Sequence, residues 1–299
     1  MNRITLINKL FWTLIALFFC TVSIAQETSK VSTSSPGLIA PARRDVPGSR
    51  YALSTGQLFI PGYFNPSSRG EVTLVFFFHG AAWCAEQNFY DARKNAVLVS
   101  LSAKDYNTLY PDTAAFNRMV DEIRLTLETT RTVTHPQINK IYLSSFSGGY
   151  PAIRSILTNA PEDSRIKGIL LADSLYAGYE GTTRSMETLR KDQMQPFLNF
   201  CCEACQGKKE FWFTQLYPPE PKYRDNTTTY TADYLILHSG MKKAPRHHQN
   251  KLGMVMGYSA EKRNAHILGY YGMTMQDHMN HFYNMAEYYR LLKIPTARP

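Results

Sequence analysis

Residues 71–80, EVTLVFFFHG, carry an apolar run too continuous for a strand with one wet face. A half-exposed strand alternates apolar and polar residues, whereas a run of this kind has to be covered on both sides. The same demand recurs along the chain. QLFIPGYF at 57–64 precedes this run across the turn NPSSRG, and AVLVSL at 96–101, KIYLSS at 140–145, IKGILLAD at 166–173, EFWFTQL at 210–216 and AHILGYYG at 265–272 read as further strands. Helical patterns lie between them. Phe116, Met119, Val120, Ile123 and Leu127 recur at helical spacing, and PAIRSIL, a stretch through Met186, Leu189, Phe197 and Leu198, TTYTADYLILHSG and MNHFYNMAEYYRLLK read as helices. Strands alternating with helices specify an α/β protein with a mostly parallel central sheet covered by helices on both faces. At 299 residues the chain is long enough for one domain with a large core.

The amino end reads differently. Arg3 and Lys9 are followed by the apolar LFWTLIALFFCTV, with Ser23 and Ala25 at the small-residue positions of an export signal cut before Gln26. An uncleaved anchor is the alternative, but Leu10 to Val22 falls short of the roughly 20 apolar residues a spanning helix needs. The expected organisation is a signal at 1–25, a Ser/Thr/Pro-rich flexible lead-in at 26–44 and one domain at 45–299, exported to a periplasm or secreted, with no stable membrane span once the signal is removed. Without the signal the formal charge falls from +9 to +7. GKKEF and MKKAPRHH are the densest basic stretches and read as solvated loops; no basic stripe interleaved with aromatics marks a nucleic-acid surface.

Cys84, Cys201, Cys202 and Cys205 remain in the expected mature chain. An exported location permits disulfides, and structural disulfides are expected rather than a Cys202-x-x-Cys205 redox pair or metal site; four cysteines allow three pairings, each of which ties Cys84 to the 201–205 cluster.

Chemistry concentrates where KIYLSSFSGGYPAIRSIL turns from strand to helix. Ser145-Phe146-Ser147-Gly148-Gly149 fits the G-x-S-x-G elbow at every position except the first, where serine stands for glycine. Such a turn brings its two arms together, so the residues two before and two after the central serine must be small. It lifts the Ser147 hydroxyl above the sheet, with the Gly148 N–H placed as an oxyanion donor. Pro151 suits a first helical turn, where its missing N–H costs nothing. Upstream, an apolar strand ending in His79-Gly80 resembles the loop that supplies the second oxyanion donor in α/β-hydrolases, which would here be the N–H of Ala81 or Ala82.

In this succession of strand, HG loop, helix, strand, helix, strand, serine elbow and helix, residues 50 to 293 resemble the α/β-hydrolase superfamily. FSGGYPAIRSIL, LLADSLYAGY, TADYLI and DHMNHF, in that order, are similar to a group of exported bacterial α/β-hydrolase-like proteins. The resemblance implies a serine nucleophile, a base and an acid, in the chain order Ser, acid, His. After the final strand, MTMQDHMNHF offers His278 on the loop or first helical turn, with His281 one turn further as the alternative base. The acid usually follows the strand EFWFTQL, where Glu220 and Asp225 stand some way past the strand end. Asp173 closes the preceding strand more tightly and is the favoured candidate.

The expected reaction is hydrolysis of a small carboxylic ester or related acyl substrate by Ser147, His278 and Asp173, with no cofactor and no metal. Amide, peptide and thioester substrates remain open, because one triad serves them all. The competing expectations are a binding protein for small molecules or glycans that keeps the scaffold without the chemistry, and a metal-dependent hydrolase built on His278 and His281.

Overall fold

The computed structural model describes residues 39–103 and 105–298. The expected signal at 1–25 and most of the lead-in at 26–44 lie outside the described residues; the described part of the lead-in, 39–44, has no regular structure.

One ten-stranded sheet organises the domain. Its strands are β1 (Gly48–Ala52), β2 (Gln57–Pro61), β3 (Glu71–Phe78), β4 (Val97–Leu101), β5 (Gln137–Phe146), β6 (Ile166–Ala172), β7 (Glu210–Tyr217), β8 (Lys243–Gln249), β9 (Val255–Lys262) and β10 (Ala265–Tyr271). They lie in the order β1-β2-β4-β3-β5-β6-β7-β10-β9-β8. The six from β4 to β10 are parallel, with antiparallel pairs added at both ends. The helices are α1 (Ala82–Ala92), α2 (Thr113–Thr129), α3 (Tyr150–Asn159), α4 (Lys191–Cys205), α5 (Thr229–Ser239), α6 (Met275–Tyr283) and α7 (Met285–Leu291).

The unbroken apolar run of β3 is explained by what covers it. Leu74, Phe76 and Phe78 face a core built with Phe116 and Ile123 of α2, Ile153 of α3, Phe197 of α4 and Leu235 of α5. Phe77, on the other face, stacks on Phe282 of α6 with ring centroids 5.5 Å apart. On that second face α1 packs against α7, where Phe89 meets Tyr289. The sheet order reverses between β3 and β5, and ligand-binding crevices of open parallel sheets form at the carboxyl ends of strands beside such a reversal.

Several elements differ from the sequence expectations for local reasons. MKKAPRHH is the edge strand β8 rather than a loop: both of its faces are exposed, so no apolar alternation marks it, and Lys243 and Pro245 are residues that blunt a sheet edge. β9 is its hairpin partner. The helix expected through Met186 and Leu189 starts only at Lys191, and the last helix divides at Asn284 into α6 and α7.

The disulfide expectation is corrected. Cys84, Cys201, Cys202 and Cys205 are free thiols. Cys84 lies on α1, where Asn88 Nδ2 sits 3.5 Å from its sulfur, on the sheet face opposite the core that holds Cys201 and Cys205. The other three share α4, whose hydrogen-bonded ladder fixes their backbone. Protein covering residues 26–299, purified without reductant and unfolded in guanidinium, is expected to titrate four thiols with a colorimetric disulfide reagent; fewer than four would show a bond between them.

Candidate active site

Three neighbouring strands end in the same uncommon way. The residue that follows β3, β5 and β6 is, in each case, a non-glycine residue with positive φ: His79 at 72°, Ser147 at 48° and Asp173 at 41°. L-residues enter this region at a cost of roughly 1–2 kcal/mol each, so packing has to hold all three. Gly149, two residues after Ser147, lies against the Phe78 carbonyl so closely that a side chain there would collide with it. Gly80 likewise has φ 138°, and a Cβ on it would meet the Phe282 ring at 2.8 Å. The elbow and the HG loop are therefore pressed together, which is why small residues occupy both.

Ser147 opens a short 3-10 turn, Ser147–Gly149, that runs directly into α3. Gly148 lies in this turn, and the His79 ring is 4.0 Å from where its Cβ would be. Ala81 is the residue before α1 and Ala82 its first residue; no side chain caps this helix, leaving its first-turn N–H groups without a side-chain acceptor. Gly148 thus lies in the elbow turn, and Ala81 and Ala82 follow the His79-Gly80 turn that the elbow packs against.

His278 lies in the first turn of α6, where Thr274 and Asp277 form a reciprocal capping box. Its Nδ1 is 2.5 Å from Asp173 Oδ2, and its ring lies against Phe146, with centroids 4.6 Å apart. Asp173 is fully buried, and its other oxygen accepts from the Leu216 N–H at 3.1 Å and the Thr228 hydroxyl at 2.5 Å. Burial alone would raise the Asp173 pKa; the hydrogen bond and charge of His278, with the Thr228 hydroxyl, outweigh it and hold the carboxyl at about 2. Tyr176 places its hydroxyl 3.4 Å from Oδ2. Burial lowers the His79 pKa to about 4, and nearby His278 adds to the shift, so His79 is a neutral imidazole at neutral pH.

The alternatives are placed elsewhere. Glu220 is exposed and bound to Lys222 at 2.7 Å, so its carboxylate is spent on a surface pair. Asp225 lies in the turn Pro221–Asn226, well past the end of β7. His281 is wholly buried one turn beyond His278, with Nδ1 2.9 Å from the Thr214 hydroxyl and 3.4 Å from the Tyr288 hydroxyl. Burial drives its pKa down to about 4. Among the described residues no group of three or more His, Cys, Asp or Glu side chains is arranged to hold a metal ion. Trp212, early in β7 and away from the crevice, stacks on His266 with ring centroids 3.9 Å apart.

Sequence reasoning missed Ser174, Thr214 and Thr228. Thr228 lies within Asn226-Thr227-Thr228-Thr229, where nothing in the pattern separates the threonine that reaches Asp173 from its neighbours.

With the order β1-β2-β4-β3-β5-β6-β7-β10, the reversal at β3/β5 and a serine elbow after β5, the architecture is decided. The chain has the α/β-hydrolase fold. No family model and no curated protein matches it. Among solved structures it is similar to an arylesterase (12% identity, TM-score 0.42, covering 86% of this chain and 89% of that one). It is also similar to EstE1, a carboxylesterase cloned from a metagenomic library (12% identity, TM-score 0.41, covering 88% and 92%). A third is LpqC, a poly(3-hydroxybutyrate) depolymerase from Bordetella parapertussis (13% identity, TM-score 0.43, covering 81% and 85%). At these identities and TM-scores the fold rests on the strand order and the elbow of this α/β-hydrolase domain itself.

No described helix of the α/β-hydrolase domain is long and apolar enough to cross a membrane. The buried histidines set its response to acid. The unfolded chain, with His281 and His79 near their ordinary 6.5, binds protons between that value and about 4 that the folded chain refuses. Stability is therefore expected to be flat above pH 7 and to fall as pH drops from 6.5 toward 4. His281→Gln is expected to make this decline shallower, measured as the melting temperature across pH 4–8; an unchanged slope would contradict the assignment.

Proposed function

We propose that this chain is an exported serine hydrolase acting on carboxylic esters. The observation that carries the reading is the 2.5 Å contact between Asp173 Oδ2 and His278 Nδ1, made by a histidine whose ring packs on the residue preceding Ser147. A carboxylate bound to Nδ1 fixes the tautomer that keeps Nε2 bare, which is the form a base needs. The leader sequence supports export: intact mass of protein recovered outside the cytoplasm is expected to start at Gln26.

In the proposed reaction Ser147 Oγ adds to the ester carbonyl carbon while His278 Nε2 takes the hydroxyl proton. The carbonyl oxygen becomes an oxyanion, held by N–H groups of Gly148 and of Ala81 or Ala82. As the C–O bond to the alcohol breaks, His278 returns the proton to the leaving oxygen and an acyl-serine remains. Water then repeats the sequence: His278 takes its proton, the acyl carbon gains the hydroxyl, and the Ser147 bond breaks with the proton restored. Asp173 stays ionised throughout and stabilises the imidazolium. Its low pKa supports that role, since a carboxyl held at about 2 stays a carboxylate at neutral and mildly acidic pH.

Exposure to a fluorophosphonate is expected to add one adduct to the protein and none to Ser147→Ala. Turnover of short p-nitrophenyl esters is expected to vanish with that substitution and to fall by about 10³-fold or more in Asp173→Asn. Glu220→Gln and Asp225→Asn are expected to keep the original rate within about twofold, because His278 is already held by Asp173 and Glu220 is paired with Lys222. An adduct that persists in Ser147→Ala would overturn the proposal.

A further inference from the structure

The departure of the elbow from its usual pattern, serine rather than glycine at position 145, has a partner. Ser145 Oγ lies 2.7 Å from Ser174 Oγ, and Ser174 Oγ lies 2.8 Å from the backbone carbonyl oxygen of Ser147. Ser145 and Ser174 are both fully buried, so neither hydroxyl is traded for water.

The proton directions follow from chemistry. A carbonyl only accepts, so the single Ser174 proton goes to Ser147, and Ser145 must then be the donor to Ser174. The 3-10 turn that begins at Ser147 pairs its carbonyl with the Tyr150 N–H three residues on, and the α-helical partner four residues on, Pro151, has no N–H. The Ser174 hydroxyl takes the second lone pair of that carbonyl, which the helix leaves open.

Ser174 has one further property: it directly follows Asp173. One dipeptide thus holds His278 through its carboxylate and the backbone of Ser147 through its hydroxyl. Both its own first residue and Ser147 sit in the left-handed region, where a loss of restraint lets the backbone relax. We infer that Ser145 and Ser174 form a hydroxyl relay that fixes the Ser147 backbone relative to the Asp173–His278 pair, making both of them positioning residues for the proposed serine hydrolase. The inference rests on that reading of the site. Ser145 acts only through Ser174, and the glycine of the usual motif would leave the relay without its donor.

The test compares the protein with Ser145→Gly, Ser174→Ala and the double variant. It measures the rate of fluorophosphonate labelling, kcat and KM on a short p-nitrophenyl ester, and the melting temperature. Ser174→Ala is expected to lower the labelling rate and kcat by about ten- to a hundredfold with KM within about twofold. A smaller fall, about three- to tenfold, is expected for Ser145→Gly, and the double variant should be no slower than Ser174→Ala alone. A purely structural role would instead lower the melting temperature and leave the folded fraction labelling normally. Losses that multiply in the double variant would overturn the relay, as would folded single variants labelling at the original rate. Should Ser174→Ala fail to fold, Ser145→Gly decides alone, because glycine is compatible with the elbow. Labelling of the parent with no change in either variant would remove the relay while leaving the hydrolase reading intact; no labelling of the parent would remove both.

Discussion

The site depends on a conformational constraint at the carboxyl ends of β3, β5 and β6, where His79, Ser147 and Asp173 all leave the sheet through left-handed backbone. A strand that simply ran on would carry each side chain past the crevice. Reversing at once keeps all three at the rim, within a few ångströms of one another's loops. The cost is paid by close packing: Gly149 under the Phe78 carbonyl, Gly80 under the Phe282 ring and Phe146 between Phe282 and His278. The parallel core supplies the rigidity, because β3 is paired on both sides and covered on both faces.

Burial and charge are balanced inside that frame. Asp173 has no exposure to water and would be neutral if left alone in the core. The Leu216 N–H, the Thr228 hydroxyl and His278 replace its hydration with fixed donors. A carboxylate solvated in this way needs no rearrangement when a positive charge forms on the neighbouring imidazole. His281, one turn deeper, shows the converse: with hydroxyl neighbours at Nδ1 and no carboxylate bonded to it, burial keeps it neutral.

Much of this was legible in the sequence, and the reasons are specific. The strands from β2 to β7, and β10, announce themselves through apolar runs, since a doubly covered strand can hold little else. The elbow, His278 and Asp173 could be placed because each sits at a strand end or helix start, where short-range pattern and position coincide. Contacts between hydroxyl groups could not. Ser145 with Ser174, and Thr228 with Asp173, join residues separated by 29 and 55 positions, and serines and threonines carry no periodic signal. β8 escaped for the opposite reason: an exposed edge strand has no face to bury, so its composition is that of a loop. The cysteines misled because spacing says nothing of which face of a sheet a helix will cover.

The position of the carboxylate one strand early leaves a mark on the rest of the rim. With Asp173 supplied by β6, the segment from 218 to 227 after β7 holds no member of the Asp173–His278 pair, and its anchors to the site lie at its two boundaries, the Leu216 N–H and Thr228. On the proposed serine-hydrolase reading, the acid therefore stays at the end of β6 whatever the length or composition of the chain between those fixed points, so that stretch can vary without moving the carboxylate that holds His278.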